Sequence, residues 1–195
     1  SKMATKVELL SQEISACLQD TVQLSVRFGS DQEYANLYFD SADDSIATVD
    51  QNGLVRFHAL GTTTISAEAY NGLSDTIEVH VEKTPTAISF AQSKALILLG
   101  DRAQLKPVFD QGACYFTLES SNPEIISIGA DGYLEANQKG TAKITLKTNV
   151  VGLKAEIDVE VVDKLEGIVV ELGKDTLELH ETTQVIYSLR PTNLL

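Results

Sequence analysis

Along much of this chain, apolar residues recur at every second position. In Asp75–Glu82, Ile77, Val79 and Val81 fall on one side, while Glu78, His80 and Glu82 fall on the other. Glu156–Val161 repeats the arrangement, with Ile157, Val159 and Val161 opposing Glu156, Asp158 and Glu160. Leu37 and Phe39 flank an outward Tyr38, and Leu177 and Leu179 alternate with polar residues in Thr176–His180. A period of two predicts strands with one buried and one wet face. Turn chemistry separates them: Asn52-Gly53, Asn71-Gly72 and Asp131-Gly132 supply the positive φ that tight connections need. No segment keeps a helical period beyond a turn or two. Leu9–Cys17 comes nearest, but carries Ser11, Ser15 and Cys17, all of low helix propensity. About seven short strands in roughly 80 residues predict an all-β fold of antiparallel β-sandwiches.

The pattern is written more than once. Shifted by about 80 residues, Asp20–Phe28 (DTVQLSVRF) aligns with Asp101–Phe109 (DRAQLKPVF) and Glu181–Leu189 (ETTQVIYSL). Gly53 aligns with Gly132, and Gly61-Thr62 with Gly140-Thr141. Units of this length are too long for short helical repeats and long enough to be small domains. The expected organisation is one domain over 1–84, a second over 85–164, and the opening strands of an incomplete third over 165–195. Short junctions at Lys83–Pro85 and Asp163–Glu166, the first stiffened by a proline, predict restricted swing and a semi-extended array. A hairpin is marginal alone, so 166–195 is expected to fold against the second domain, a longer chain or another copy, the last as a strand-swapped or edge-to-edge dimer.

The stretch SSNPEIISIGADGYLEANQKGTAKIT at 120–145 resembles the signature of the bacterial immunoglobulin-like group 2 domains. The matching elements are Ser120 to Pro123, Ile126 and Ile128, Gly132, Ala136, Gly140-Thr141, and Ile144-Thr145. The first unit fits more loosely, through Ser41, Asp43, Ala47, Val49, Gly53, Ala59, Gly61, Thr62, Ile65 and Ser66. Family members usually carry a Trp shortly before the paired serines; Phe39 and Leu118 stand there instead, and either can plug the same core position. The resemblance implies tandem immunoglobulin-like sandwiches. It also implies an extracellular or cell-surface setting, as in bacterial adhesins of the intimin and invasin type or accessory modules of secreted enzymes.

Composition narrows the function. Hydrophobic residues make up 43% and aromatics only 6%, with no Trp, so the core must be mainly aliphatic. A net charge of −13 argues against nucleic acid and anionic membrane as partners, since both reward clustered cations. No stretch is long and apolar enough to span a bilayer, and the opening SKMATKVELL lacks the apolar run of a signal peptide. Cys17 and Cys114 lie far apart without Cys-x-x-Cys spacing, so no disulfide framework is indicated, and they read as buried or partly buried free thiols.

Chemistry-bearing patterns are scarce. No Ser-His-Asp or Cys-His set, nucleophile elbow or phosphate loop is present, so no catalytic, cofactor-binding or metal-binding residue is assigned and the chain is not expected to be an enzyme. His80 and His180 sit on outward strand faces, and His58 aligns with Asn137, so no repeated ligand is implied. Calcium at the junctions is the one cation reading. Glu82, Asp163 and Glu166 would be joined by loop oxygens of Asp43, Asp44, Asp50 or Asp131, although a Lys sits in each junction. Tyr34, Tyr38, Tyr70 and Tyr115 offer an aromatic platform for a glycan or host protein. The leading expectation is a non-catalytic spacer whose partners are neighbouring immunoglobulin-like repeats, supporting adhesion by displaying a distal module. A glycan- or host-protein-binding module, or an accessory domain of a secreted glycan-degrading enzyme, is the alternative.

Overall fold

A computed structural model describes residues 2–163; the expected third repeat at 165–195 lies outside the described residues. The described chain is all-β and forms immunoglobulin-like β-sandwiches. In the first, one layer is a four-stranded sheet in the order Glu13–Cys17, Ser74–Glu82, Gly61–Ala69, Leu37–Ser41. The facing layer pairs Val7–Leu9 with Val26–Phe28, and Leu54–Phe57 with both Thr21–Gln23 and Ala47–Val49.

The second sandwich repeats this wiring. Its four-stranded sheet runs Lys94–Leu98, Ala155–Val162, Gly140–Thr148, Phe116–Ser120. Leu134–Ala136 lies between Arg102–Ala103 and Ile126–Ile128 in the opposite layer. Pairing is mostly antiparallel, as the hairpin turns demand. Besides the short parallel pair Lys2–Met3 with Glu33–Tyr34, one exception at the sheet edge is shared: Glu13–Cys17 runs parallel to Ser74–Glu82, and Lys94–Leu98 parallel to Ala155–Val162. These edge strands leave for the opposite layer after a tight turn, so no hairpin fixes their direction.

The alternation explains the layers. Ile65, Ala67, Ile77 and Val79 are buried from one sheet and meet Val22, Leu24, Val55 and Phe57 from the other in a single cluster. Ile97, Ile144, Ile157 and Val159 meet Leu105, Ile126 and Leu134 in the second. Burying one such aliphatic side chain stabilises by about 1.5–3 kcal/mol, so cores poor in aromatics still hold. Phe39 is buried at the position where the family resemblance expects Trp, and Leu118 is half-buried at its counterpart.

The signature stretch makes the same hydrogen bonds in both copies. Asp43 Oδ1 accepts from Ser45 N at 2.9 Å, and Asn122 Oδ1 from Glu124 N at 3.1 Å. The carbonyl of the same Asp or Asn then accepts from Ala47 N at 3.1 Å, or from Ile126 N at 3.0 Å. Downstream, His58 N donates to Ile46 O at 2.8 Å, matched by Asn137 N to Ile125 O at 2.9 Å. The polar lead is therefore an Asx turn that starts a strand.

Candidate functional site

The two sandwiches meet in a packed joint. At the end of strand Glu13–Cys17 the chain turns tightly, with Asp20 N donating to Cys17 O at 3.0 Å. The turn buries Asp20, which is 3% exposed. Asp20 Oδ2 accepts from Cys17 N at 2.8 Å and also, across the joint, from Tyr115 N at 2.8 Å. This one oxygen accepts from both domains and ties them together. Tyr115 packs half-buried against the first core; burial, and secondarily the Asp20 charge, raise its phenol pKa.

The linker closes a second side of the joint. Pro85 is fully buried, and Gln111 Nε2 donates to Thr84 O at 2.9 Å. Gly112 adopts a φ of 48°, and a Cβ there would collide with the Lys83 carbonyl, so backbone meets backbone only because the residue is glycine. Between these contacts lies an apolar plug of Cys17, Cys114 and Val150, flanked by Phe109 and Leu153. Burial raises the pKa of both thiols, and the Asp20 charge adds to it. Sequence spacing separated the two cysteines; the fold brings them together. Only the two-domain register, which places Cys114 in the loop before Phe116–Ser120, carried a hint of it.

A second feature lies at the free edge of the first sheet. Asn36, Leu37, Tyr38, Glu68, Ala69 and Tyr70 line an open hollow of about 420 Å³. Tyr38 stands directly across from Glu68 on the paired strand. Tyr70 occupies the hairpin turn and is 97% exposed, while Tyr38 is 59% exposed. Asn71 Nδ2 donates to Ala4 O at 2.9 Å, which pins that turn. The expected four-tyrosine platform is corrected in two members, the first of which, Tyr115, belongs to the joint. Tyr34 is exposed but does not line the hollow.

Of the other residues singled out from sequence, His80, His58, Asp43, Asp50, Asp131 and Asp163 are engaged locally. His80 Nε2 lies 2.9 Å from Glu78 and 3.3 Å from Glu13 of the neighbouring strand, with its Nδ1 3.1 Å from Thr62 Oγ1. His58 Nε2 is 2.8 Å from Thr48 Oγ1, and His180 lies outside the described residues. Asp43 caps Ser45, whose hydroxyl lowers the Asp43 carboxyl pKa. Asp50 accepts from Asn52 N and Leu54 N at 2.8 and 3.0 Å. Arg102 reaches both oxygens of Asp131, at 2.9 and 2.7 Å, and lowers its pKa. Asp163 meets Lys139 at 3.0 Å. Among the described residues, no group of three or more His, Cys, Asp or Glu converges to hold a metal; Glu166 is not among them.

Residues 4–79 match the family model described as bacterial Ig-like domain (group 2). The first sandwich is a group 2 bacterial Ig-like domain. The second sandwich shares the strand order of this Ig-like domain. An uncharacterised protein of Clostridium acetobutylicum is 25% identical over 154 residues, covering 75% of this chain and 16% of that protein. The chain thus spans only about a sixth of the length of the curated relative it matches. Among solved structures, domains 5–6 of the surface-layer protein SbsC are 16% identical, covering 84% of this chain and 99% of that one, with a TM-score of 0.40. The C-terminal 282-residue fragment of intimin, solved in complex with the intimin-binding domain of the translocated intimin receptor, is 17% identical. That match covers 80% of this chain and 63% of the fragment, with a TM-score of 0.32.

Proposed function

We propose that this chain is a non-catalytic spacer segment of a bacterial cell-surface or secreted protein. Its domains hold a distal module away from the envelope and so support adhesion. The observation that carries the reading is the joint: Asp20, Tyr115, Gly112 and the buried Cys17–Cys114–Val150 plug couple neighbouring domains without a free linker. Coupled domains transmit position and force, which is what a stalk requires. The family of the first sandwich supports an extracellular setting. The mechanism uses no cofactor, and its partners are the neighbouring repeats. The expected pairing through 166–195 lies outside the described residues.

A second reading rests on the hollow beside Tyr38 and Tyr70. Two exposed phenol rings beside an amide and a carboxylate are the groups that stack on and hydrogen-bond a sugar. That arrangement fits a glycan-binding module or an accessory domain of a secreted glycan-degrading enzyme. A glycan array and a pull-down from host-cell extract separate the two. The spacer reading expects no saturable hit. A saturable glycan hit lost in both Tyr38→Ala and Tyr70→Ala replaces it with the second.

A further inference from the structure

Cys17 and Cys114 are free thiols from different sandwiches, 0% and 1% exposed, in one packed cluster with Val150. Backbone hydrogen bonds to a shared acceptor also draw the two segments together. Cys17 N and Tyr115 N both donate to Asp20 Oδ2, each at 2.8 Å, so the two nitrogens stand no further apart than twice that length. The Cys17 Cα is one bond from the first nitrogen, and the Cys114 Cα is two bonds from the second. The separation this leaves overlaps the roughly 4.4–6.8 Å between Cα atoms that a disulfide spans. Thr148 Oγ1 donates to Cys114 Sγ at 3.3 Å, and Gln111 to Thr84 O at 2.9 Å, holding the surrounding chain.

The geometry points to an interdomain disulfide, Cys17–Cys114, as a modification that locks the two sandwiches covalently when the protein meets a small-molecule disulfide oxidant. With oxidised glutathione, one protein thiolate attacks a glutathione sulfur, forms a mixed disulfide and expels one glutathione thiolate. The other protein thiolate attacks the protein-side sulfur of that bond and expels the second glutathione thiolate. The two protons from the protein thiols go to the two departing thiolates. The protein loses two electrons, and glutathione disulfide is reduced to two thiols. The enclosed sulfurs make the joint its own gate: the first attack needs a transient opening, and reclosure brings the second thiol to the mixed disulfide. This goes beyond the spacer reading and holds whatever module the chain displays.

The test uses the full 195-residue chain. It is incubated with oxidised glutathione at about pH 8, in buffer and again in denaturant just below the unfolding midpoint, then alkylated, digested without reduction and mapped by mass. The expected product is a monomer containing one linked peptide pair that carries Cys17 and Cys114. Its melting temperature rises on the order of 5–10 °C. Reductant reverses the rise, and the rise is absent in Cys17→Ser and in Cys114→Ser. Glutathione left on both cysteines, links between separate chains, or two unreacted thiols under both conditions would overturn it.

Discussion

The two sandwiches keep one scaffold with different residues, and the substitutions show what the scaffold needs. The entry of each domain is clipped by a carboxylate on a threonine. In the first, Thr5 N donates to Glu33 Oε2 at 2.8 Å; in the second, Thr86 N donates to Asp110 Oδ1 at 2.9 Å. Thr48 and His58 bridge adjacent strands at 2.8 Å, where Ser127 and Asn137 do so at 2.9 Å. Each role asks for a donor or acceptor at one place, and identity is free beyond that. The copies diverge in core filling, with Phe39 against Leu118, and at the joint, where Cys17 aligns with Leu98 although the aspartate of the turn is kept as Asp20 and Asp101.

Emptying the two cores should have the largest effect. Ile65→Ala and Ile144→Ala remove equivalent, fully buried side chains. Each should cost about 3–4 kcal/mol in chemical denaturation followed by residue-resolved NMR. A much smaller loss in one copy would show that the cores are not equivalent.

Asp20→Ala comes next. It removes an acceptor shared by Cys17 N and Tyr115 N and should cost about 2–3 kcal/mol. Amide exchange should rise at both Cys17 and Tyr115. Exchange rising at Cys17 alone would mean that the cross-domain bond contributes nothing.

The turn glycines sharpen the difference in filling. Gly53 and Gly132 share a φ of 80°, so alanine strains both by about 1 kcal/mol. At Gly53 the new Cβ would also press the Phe39 ring at 3.1 Å, whereas at Gly132 nothing lies within 4 Å. Thermal melts should therefore rank Gly53→Ala below Gly132→Ala, and equal shifts would contradict the packing account.

The entry clips give the gentlest test, in acid. The Thr86 hydroxyl, then the Ala87 and Thr86 amides, hold Asp110 down to a pKa of about 2; the Thr5 amide and hydroxyl lower Glu33 as well. An unfolded Asp titrates near 3.9. A depressed folded pKa contributes stability that is present above the unfolded value and is lost as pH falls through the folded one. The melting temperature should thus decline between about pH 4 and pH 2. The decline should be shallower in Asp110→Asn.

The strands and layers were legible because a half-buried sheet prints its period directly, as Ile77, Val79 and Val81 do. The signature turns were legible because only certain residues take those backbone angles. The parallel edge strand Glu13–Cys17 was not, since nothing in a strand's own period encodes its neighbour's direction. The joint was hidden for a related reason. Cys17, Asp20, Cys114 and Tyr115 look like ordinary loop and strand-end residues until the fold superposes two distant turns. Tyr38 was legible from its alternation with Phe39. That Tyr70 lines the same hollow depended on the hairpin register, which the sequence does not print.

A joint of this kind makes the two sandwiches one mechanical unit. Residual dipolar couplings measured for the backbone amides of residues 2–163 test it directly. A single alignment tensor should fit both sandwiches, and two distinct tensors should be needed in Asp20→Ala. Separate tensors for the unaltered chain would contradict it.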